Sequence, residues 1–471
     1  MTKIVVLSTA LGAALVVTAC GSSPTLATAG GAGGVRVQTW VTTADHAKTL
    51  SHEPDVQLAT TGQASVPEID VDADTTYQHM IGFGAAMTDA SAYLIERSMS
   101  PSQRDALLQD LFGRNPGIGL SFLRVPFGAS DFSLSDYSYD DTPPITNFSI
   151  AADSANKLPA LREALAINPQ LFIMANPWSP PGWMKTSGSL IGGTLQPSAY
   201  SAFADYLGRA VEAYDSAGVH IGAISVQNEP HYEPKDYPGM LLEAPARAVV
   251  IGQYVGPRLK NEAQIWDWDH NWDLPASPLG VLGDATANGY VQGVAWHCYA
   301  GDVSAQTQVH SAYPGKDVYF TECSGGTWTG DYAANLRWFV GTMIIGTTRN
   351  WARTVALWNL ALDPHNGPHT GGCTDCRGVV TIDSTGAVTR NVEYVALAHA
   401  SMFVRPGAVR IASTSGVDSL ASVAFRNADD HSTVVIVFNG AHTTQTFAVR
   451  SKTQGFQYTL PAASVATFIW Q

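Results

Sequence analysis

Ile224-Ser225-Val226-Gln227-Asn228-Glu229-Pro230 is an apolar, β-branched run that climbs to a carboxylate and is then stopped by a proline. A second run of the same build, Val318-Tyr319-Phe320-Thr321-Glu322-Cys323-Ser324-Gly325-Gly326, ends on a glutamate and then on small turn residues. One such glutamate reads most simply as a polar strand terminus. Two of them, each at the end of an apolar strand, suggest a general acid facing a nucleophile.

Outward from these runs the chain has a rhythm of apolar strand, turn and amphipathic helix. The eight strand candidates begin with Met80–Gly84, Ser121–Val125, Leu171–Ala175 and Ile221–Val226. Gln264–Asp267, Gly293–Trp296, Val318–Phe320 and Val355–Trp358 complete the set. Helical text is clearest over Ser102–Phe112 and over Ala202–Ala217, where Phe203, Tyr206, Leu207, Ala210 and Val211 share one face. Such repeats predict an α/β fold, a (β/α)8 TIM barrel. After Ala400 the helices give way to short strands between polar turns, near 419–425, 432–438, 445–449 and 464–470. The early β-like text at 35–75 is expected to pair with them, since one or two strands bury no face alone. The expectation is a barrel at 76–400 with an adjoining discontinuous β-sandwich from 35–75 and 401–471.

A barrel of this kind gathers its active site at the C-terminal strand ends. Those ends carry Asp89, Asn176 with Trp178, Asn228 with Glu229, His297 with Tyr299, Glu322, and Trp358 with Asn359. Strands 4 and 7 lie across the mouth, so Glu229 and Glu322 can approach each other. A retaining glycosidase needs about 5–5.5 Å between its carboxyl groups, and an inverting one about 6.5–9.5 Å. The spacing along the chain leaves that gap open.

Several of these stretches together resemble glycoside hydrolase family 30, retaining β-glycosidases that include glucosylceramidases and endo-β-1,6-glucanases. The resemblance rests on Gly82-Phe83-Gly84-Ala85-Ala86-Met87-Thr88-Asp89, Arg124-Val125-Pro126, Asn176-Pro177-Trp178-Ser179-Pro180-Pro181, Asn228-Glu229-Pro230, Thr321-Glu322 and Trp358-Asn359-Leu360-Ala361-Leu362. It implies Glu229 as acid/base, Glu322 as nucleophile and Asn228 on the sugar 2-hydroxyl. Asp89, Trp178 and Trp358 are implied to hold the non-reducing sugar, with His297 and Tyr299 around the nucleophile and His369 reaching the substrate from the loop after strand 8. His297 also reads as a satisfied core histidine. Proximity to Glu322 is expected to raise the pKa of Glu229 and keep it protonated. The activity implied is hydrolysis of β-1,6-glucan or a related β-glucoside. A glycolipid of the glucosylceramide kind is the alternative substrate, and a non-catalytic carbohydrate-binding lipoprotein is the reading from another class.

Composition agrees with a sugar-directed globular enzyme. Hydrophobic residues make up 45% of the 471 and charged residues only 14%, which excludes a disordered chain. A net charge of −14 with no basic run argues against nucleic acid as a partner. Twelve Trp, 17 Tyr and 16 Phe supply rings for sugar faces, most of them nonetheless core. No cofactor is implied, because two carboxylates and water suffice. Asp267, Asp269, His270 and Asp273 form the one run that invites a check for metal, and it reads as a polar loop after strand 5. Gly82-Phe83-Gly84 lacks the third glycine of a nucleotide fingerprint and reads as a tight turn.

At the N-terminus, Lys3 and the apolar Ile4–Val17 form a signal segment, 1–19, too short for a comfortable membrane span. Val17-Thr18-Ala19-Cys20 looks like a bacterial lipobox, which implies cleavage before a lipid-bearing Cys20, export, and a membrane tether through that lipid alone. A Gly- and Ser-rich linker, 20–34, follows. In an oxidising compartment Cys373-Thr374-Asp375-Cys376 reads as a short disulfide loop or half a metal site. If His297 and Glu322 face the site, Cys298 and Cys323 point outward from adjacent strands and are placed for a second disulfide.

Overall fold

Eight parallel strands close on themselves in the computed structural model, which describes residues 34–60, 65–417 and 419–471. They are β1 (Gly82–Ala86), β2 (Phe122–Phe127), β3 (Phe172–Pro177), β4 (Ala223–Ser225), β5 (Gln264–Asn271), β6 (Val291–His297), β7 (Asp317–Glu322) and β8 (Ala352–Asn359). Each pairs in parallel with the next, and β8 returns to β1. Every residue of β2 is buried, as expected of a strand covered on both faces, and this is why the barrel strands read as continuous apolar runs.

The barrel interior is packed rather than hollow. Phe122, Met174, Ala223, Trp266, Ala295, Tyr319 and Ala356, one from each of β2 to β8, form a buried cluster in which the Trp266 and Tyr319 rings stack 3.5 Å apart. No side chain fits at position 84, where an added Cβ would stand 1.8 Å from the Phe122 carbonyl oxygen. Outside the barrel, the helix Tyr200–Ser216 buries Phe203, Tyr206, Leu207, Ala210, Val211 and Tyr214, the face its sequence period marks. The helix Pro101–Phe112 begins on a capping box between Ser100 and Gln103.

Three strands before the barrel and six after it form one nine-stranded closed sheet, flattened as a sandwich about its own core of Val37, Val41, Ile69, Phe447 and Phe468 with their neighbours. Val35–Thr42 lies antiparallel to Ser464–Trp470, so the first and last described strands meet. Val409–Ser413 and Gln454–Leu460 are strands that the sequence pattern does not single out. The helix Val392–Ser401 joins the two bodies through buried His399, whose ring nitrogens reach Thr467 at 2.9 Å and Thr42 at 2.8 Å. Burial holds that imidazole neutral, with its pKa pushed down to about 3.

Among the described residues no helix is long and apolar enough to cross a membrane. The expected signal segment 1–19, Cys20 and the linker as far as residue 33 lie outside the described residues.

Candidate active site

The site is organised by an irregularity in β5. Its pairing with β6 shifts register between Trp268 and His270, and Trp268 (φ +77°) and Asp269 (φ +52°) both adopt left-handed backbone. That is the signature of a bulge, and such backbone in a non-glycine residue carries strain. Strict alternation would put Asp267 and Asp269 on the same face. The bulge separates them. Asp267 receives Arg247 Nε at 2.5 Å, while Asp269 turns to the barrel centre.

There Asp269 is a fully buried acceptor for five groups. Arg124 Nη2 and Asn176 Nδ2 each donate at 2.9 Å, Ser225 Oγ at 2.6 Å and Thr321 Oγ1 at 2.7 Å. His297 Nε2 completes the set at 3.0 Å. Burial pushes the Asp269 carboxyl up, but the Arg124 charge and the hydrogen bonds from His297 and Ser225 outweigh it and hold it well below the usual carboxylate range. Asp267 and Asp269, two members of the run that invited a check for metal, are therefore divided between separate ion pairs.

Glu229 follows β4 in a turn whose own residue is left-handed (φ +44°) and whose N–H donates to the Asp269 carbonyl at 3.0 Å. Its Oε1 lies 3.1 Å from His297 Nδ1 and 3.6 Å from His270 Nδ1. Glu322, the last residue of β7, accepts from Arg124 Nη1 and from the Tyr299 hydroxyl, the latter at 2.8 Å. Its Oε1 stands 3.8 Å from the same His297 Nδ1. Both carboxylates thus lie within 3.8 Å of one ring nitrogen, which brings them face to face across the mouth.

The charge state departs from the expectation for Glu229. Burial raises its pKa, yet the neighbouring His270 and His297, the latter within hydrogen-bond distance, override that and hold the carboxyl below its ordinary range. Burial works against a charged His297, but Glu322, Asp269 and Glu229 together push its pKa up to about 9. These opposed shifts favour the proton on the imidazole, 3.1 Å from Glu229. Two neighbouring rings outweigh the burial of the carboxyl.

A cavity of about 520 Å³ opens over these groups, lined among others by Asp131, Trp178, Asn228, Glu229, Tyr299, Glu322 and Trp358. Trp178 and Trp358 stack on each other at 4.9 Å, with the Arg124 guanidinium 4.8 Å and 5.5 Å from their rings. Arg124 Nη2 also donates to Asn228 Oδ1 at 2.7 Å, fixing the amide. The wall over β7 and β8 is the loop after β8. It is closed by the Cys373–Cys376 disulfide and pairs, through Cys376 and Arg377, with Gly325 and Gly326. The second disulfide, Cys298–Cys323, joins the residues that directly follow His297 and Glu322.

Of the site residues expected from sequence, Glu229, Glu322, Asn228, Trp178, Tyr299 and Trp358 line the cavity, and His297 lies buried beneath it. Two stand apart. Asp89 opens the helix after β1 and is taken up by Ser133 Oγ at 2.5 Å, Tyr137 at 3.0 Å and Lys157 at 3.5 Å. His369 packs on Phe132, one ring behind Trp358. Asp131 and Asp236, not Asp89, stand in the cavity wall with the two glutamates, and Asp131 Oδ1 is buried without a hydrogen-bond partner. Burial first, and then the Glu322 charge, push its pKa well above the carboxylate range. Sequence pattern misses Asp131, because it sits in an irregular loop, and it misses Asp269, because the bulge is invisible in a one-dimensional alternation. His270 joins Glu229 and His297 in a trio whose ligand atoms lie within 4.8 Å of one another, the one cluster of metal-ligand size found among the described residues.

Comparison with known proteins agrees with this geometry. The family model described as glycosyl hydrolase family 30 TIM-barrel domain matches residues 80–404, and that of the family 30 beta sandwich domain matches residues 407–468. The chain is 35% identical to endo-1,6-beta-D-glucanase neg1 of Aspergillus fumigatus, over 87% of this chain and 88% of the relative. It is 30% identical to putative glucosylceramidase 4 of Caenorhabditis elegans, over 80% and 78%. Its structure is similar to that of the endo-beta1,6-glucanase BT3312, with a TM-score of 0.86 and 33% identity, over 92% of this chain and 99% of that one.

Proposed function

The chain belongs to glycosyl hydrolase family 30 and is a β-glycosidase, and on that premise we propose that it hydrolyses β-1,6-linked glucan with retention of anomeric configuration. The observation that carries the reading is the meeting of Glu229 and Glu322 at one nitrogen of His297. Those two contacts limit the gap between the nearest carboxylate oxygens to at most about 6.9 Å, which accommodates direct attack at about 5–5.5 Å and reaches only the near edge of the inverting range, about 6.5–9.5 Å.

In the mechanism we propose, Glu322 attacks the anomeric carbon as the bond to the leaving oxygen breaks, forming a glycosyl ester. Arg124 and Tyr299 hold Glu322 aimed before the attack by hydrogen bonds to its two oxygens. The leaving oxygen takes a proton from Glu229, which draws it in turn from His297 Nδ1 across 3.1 Å. Water then enters, gives its proton back to the Glu229–His297 pair, and its oxygen replaces Glu322 on the sugar. The Trp178–Trp358 floor, Asn228 and Asp131 supply ring contact and hydrogen bonds to that sugar.

The similarity to a putative glucosylceramidase supports a second reading, a glycolipid substrate, with the same chemistry and a different leaving group. Export as a lipoprotein anchored at Cys20 is also part of the proposal, supported by the lipobox-like Val17-Thr18-Ala19-Cys20.

The deciding experiment incubates the chain from Val35 onward with β-1,6-glucan, β-1,3-glucan and glucosylceramide, and follows the anomer released by NMR. First-formed β-anomer from β-1,6-glucan supports the proposal. Inversion, or turnover of the lipid alone, rejects it. Fatty-acid labelling that survives Cys20→Ser would reject the anchor.

A further inference from the structure

Three large aromatic side chains in the cavity wall are left open. Trp328 is 55%, Tyr232 49% and Tyr299 46% exposed, whereas Trp178 and Trp358 on the floor are each 3% exposed. The Tyr299 hydroxyl is already committed to Glu322, which leaves Trp328 and Tyr232 without a part in the chemistry. Rings of this size normally bury most of their apolar surface, so half-exposed rings inside a catalytic cavity are contact area held for a ligand.

Both rings are built into place. After β7 the chain pairs Gly325 and Gly326 with Arg377 and Cys376, and Thr327 N–H donates to the Asp375 carbonyl at 2.8 Å. Trp328 then folds back flat over Gly326, where an added Cβ would lie 1.8 Å from the indole. Its position is thus fixed by a glycine and by the disulfide-closed loop. Tyr232 is tied to the acid itself, since its N–H donates to the Glu229 carbonyl at 2.9 Å and closes a turn. The proton of Glu229 goes to the oxygen of the departing group. That group must therefore sit on the acid's side of the floor, toward the open rim where Tyr232 stands.

We propose that Tyr232 and Trp328 form the binding site for the sugar on the leaving side of the scissile bond, stacking on the apolar face of a glucose ring. This rests on the glucanase reading above. The same site receives the acceptor when a second sugar, rather than water, resolves the glycosyl ester. In that transfer the acceptor hydroxyl gives its proton to Glu229, its oxygen bonds to the anomeric carbon, and Glu322 leaves as carboxylate.

The test uses Trp328→Ala, Tyr232→Ala and Gly326→Ala, the last displacing the indole without deleting it, with thermal unfolding confirming that each is folded. β-Glucosyl fluoride serves as a donor whose leaving group has no ring, and a β-1,6-linked glucose disaccharide serves as added acceptor. The ratio of transfer to hydrolysis is expected to fall about tenfold per ring lost, as is kcat/KM on β-1,6-gluco-oligosaccharides relative to the fluoride. Equal losses on fluoride and oligosaccharide, or an unchanged transfer ratio, overturn the proposal. So does an unchanged transfer ratio accompanied by collapse on long-chain alkyl β-glucosides, which would assign the rim to a lipid tail. Wild-type protein that uses the fluoride and transfers to the disaccharide but leaves β-1,6-glucan intact refutes the glucanase reading while retaining the sugar site.

Discussion

Asp269 Oδ1 lies 3.0 Å from His297 Nε2, so the imidazole that touches Glu229, the proposed acid, is braced on its other side by a fully buried carboxylate. Asp269 thereby helps to keep a proton on His297. Asp269→Asn should lower the His297 pKa from about 9 and move the alkaline limb of the kcat/KM profile toward neutrality. It also leaves Arg124 with one carboxylate partner fewer, and Asp269→Ala should destabilise by about 3–5 kcal/mol, as expected when a buried ion pair is broken. A pH–rate profile of the Asn variant with an unmoved alkaline limb would refute this role.

The same coupling makes stability depend on pH. His297 has a folded pKa above its unfolded value, so its contribution is present in full below about pH 6.5 and is lost as pH rises through about 9. Asp269 is shifted the other way, and its contribution disappears as pH falls below the carboxylate range. Melting temperatures recorded from pH 2 to pH 10 should be highest between about pH 4 and 6.5 and fall on either side, and Asp269→Asn should flatten the alkaline decline.

Glu229 and Glu322 should separate under chemical rescue. Glu322→Gln is expected to abolish turnover. Glu229→Gln should lose about 10²–10⁴-fold on substrates with poor leaving groups and much less on an activated aryl glucoside. Azide should revive the Glu229 variant and yield the β-glycosyl azide, which NMR identifies. An α-azide from that variant would reverse the assignment.

Burial and the Glu322 charge push the pKa of Asp131 up and favour its neutral form, which a neutral amide mimics. Asp131→Asn should keep most of the sugar affinity, whereas Asp131→Ala should lose about 1–3 kcal/mol of it, the cost of an unmet buried hydrogen bond. Inhibition constants for a glucose-like inhibitor in the two variants give the comparison, and equal values would deny Asp131 a sugar contact.

The two disulfides should differ in what they support. Cys298–Cys323 encloses a chain separation of 25 residues and stabilises by about 3–4 kcal/mol in the chain-entropy account. Cys373–Cys376 spans only three and mainly shapes the cavity wall. Cys298→Ala with Cys323→Ala should lower the melting temperature clearly. Cys373→Ala with Cys376→Ala should lower it little, yet raise KM on oligosaccharides.

The sequence by itself determined the barrel, because buried parallel strands must be apolar on both faces and are therefore written as runs such as Phe122–Phe127 that need no partner to be recognised. It also marked Glu229, Glu322, Asn228, Trp178 and Trp358, since each stands at a strand end where an isolated polar or aromatic residue breaks an apolar run. Tertiary structure decided the rest. Asp269 reaches the centre only through a bulge that depends on the β5–β6 pairing, and Asp131 enters the wall only through an irregular loop, leaving Asp89 to the Lys157 network outside it. The pKa order of Glu229 and His297 likewise arises from contacts at 3.0–3.8 Å among residues on β5, β6, β7 and the turn after β4. Periodicity along a chain records which residues are buried, whereas charge and proton placement depend on distances between segments that the chain order does not contain.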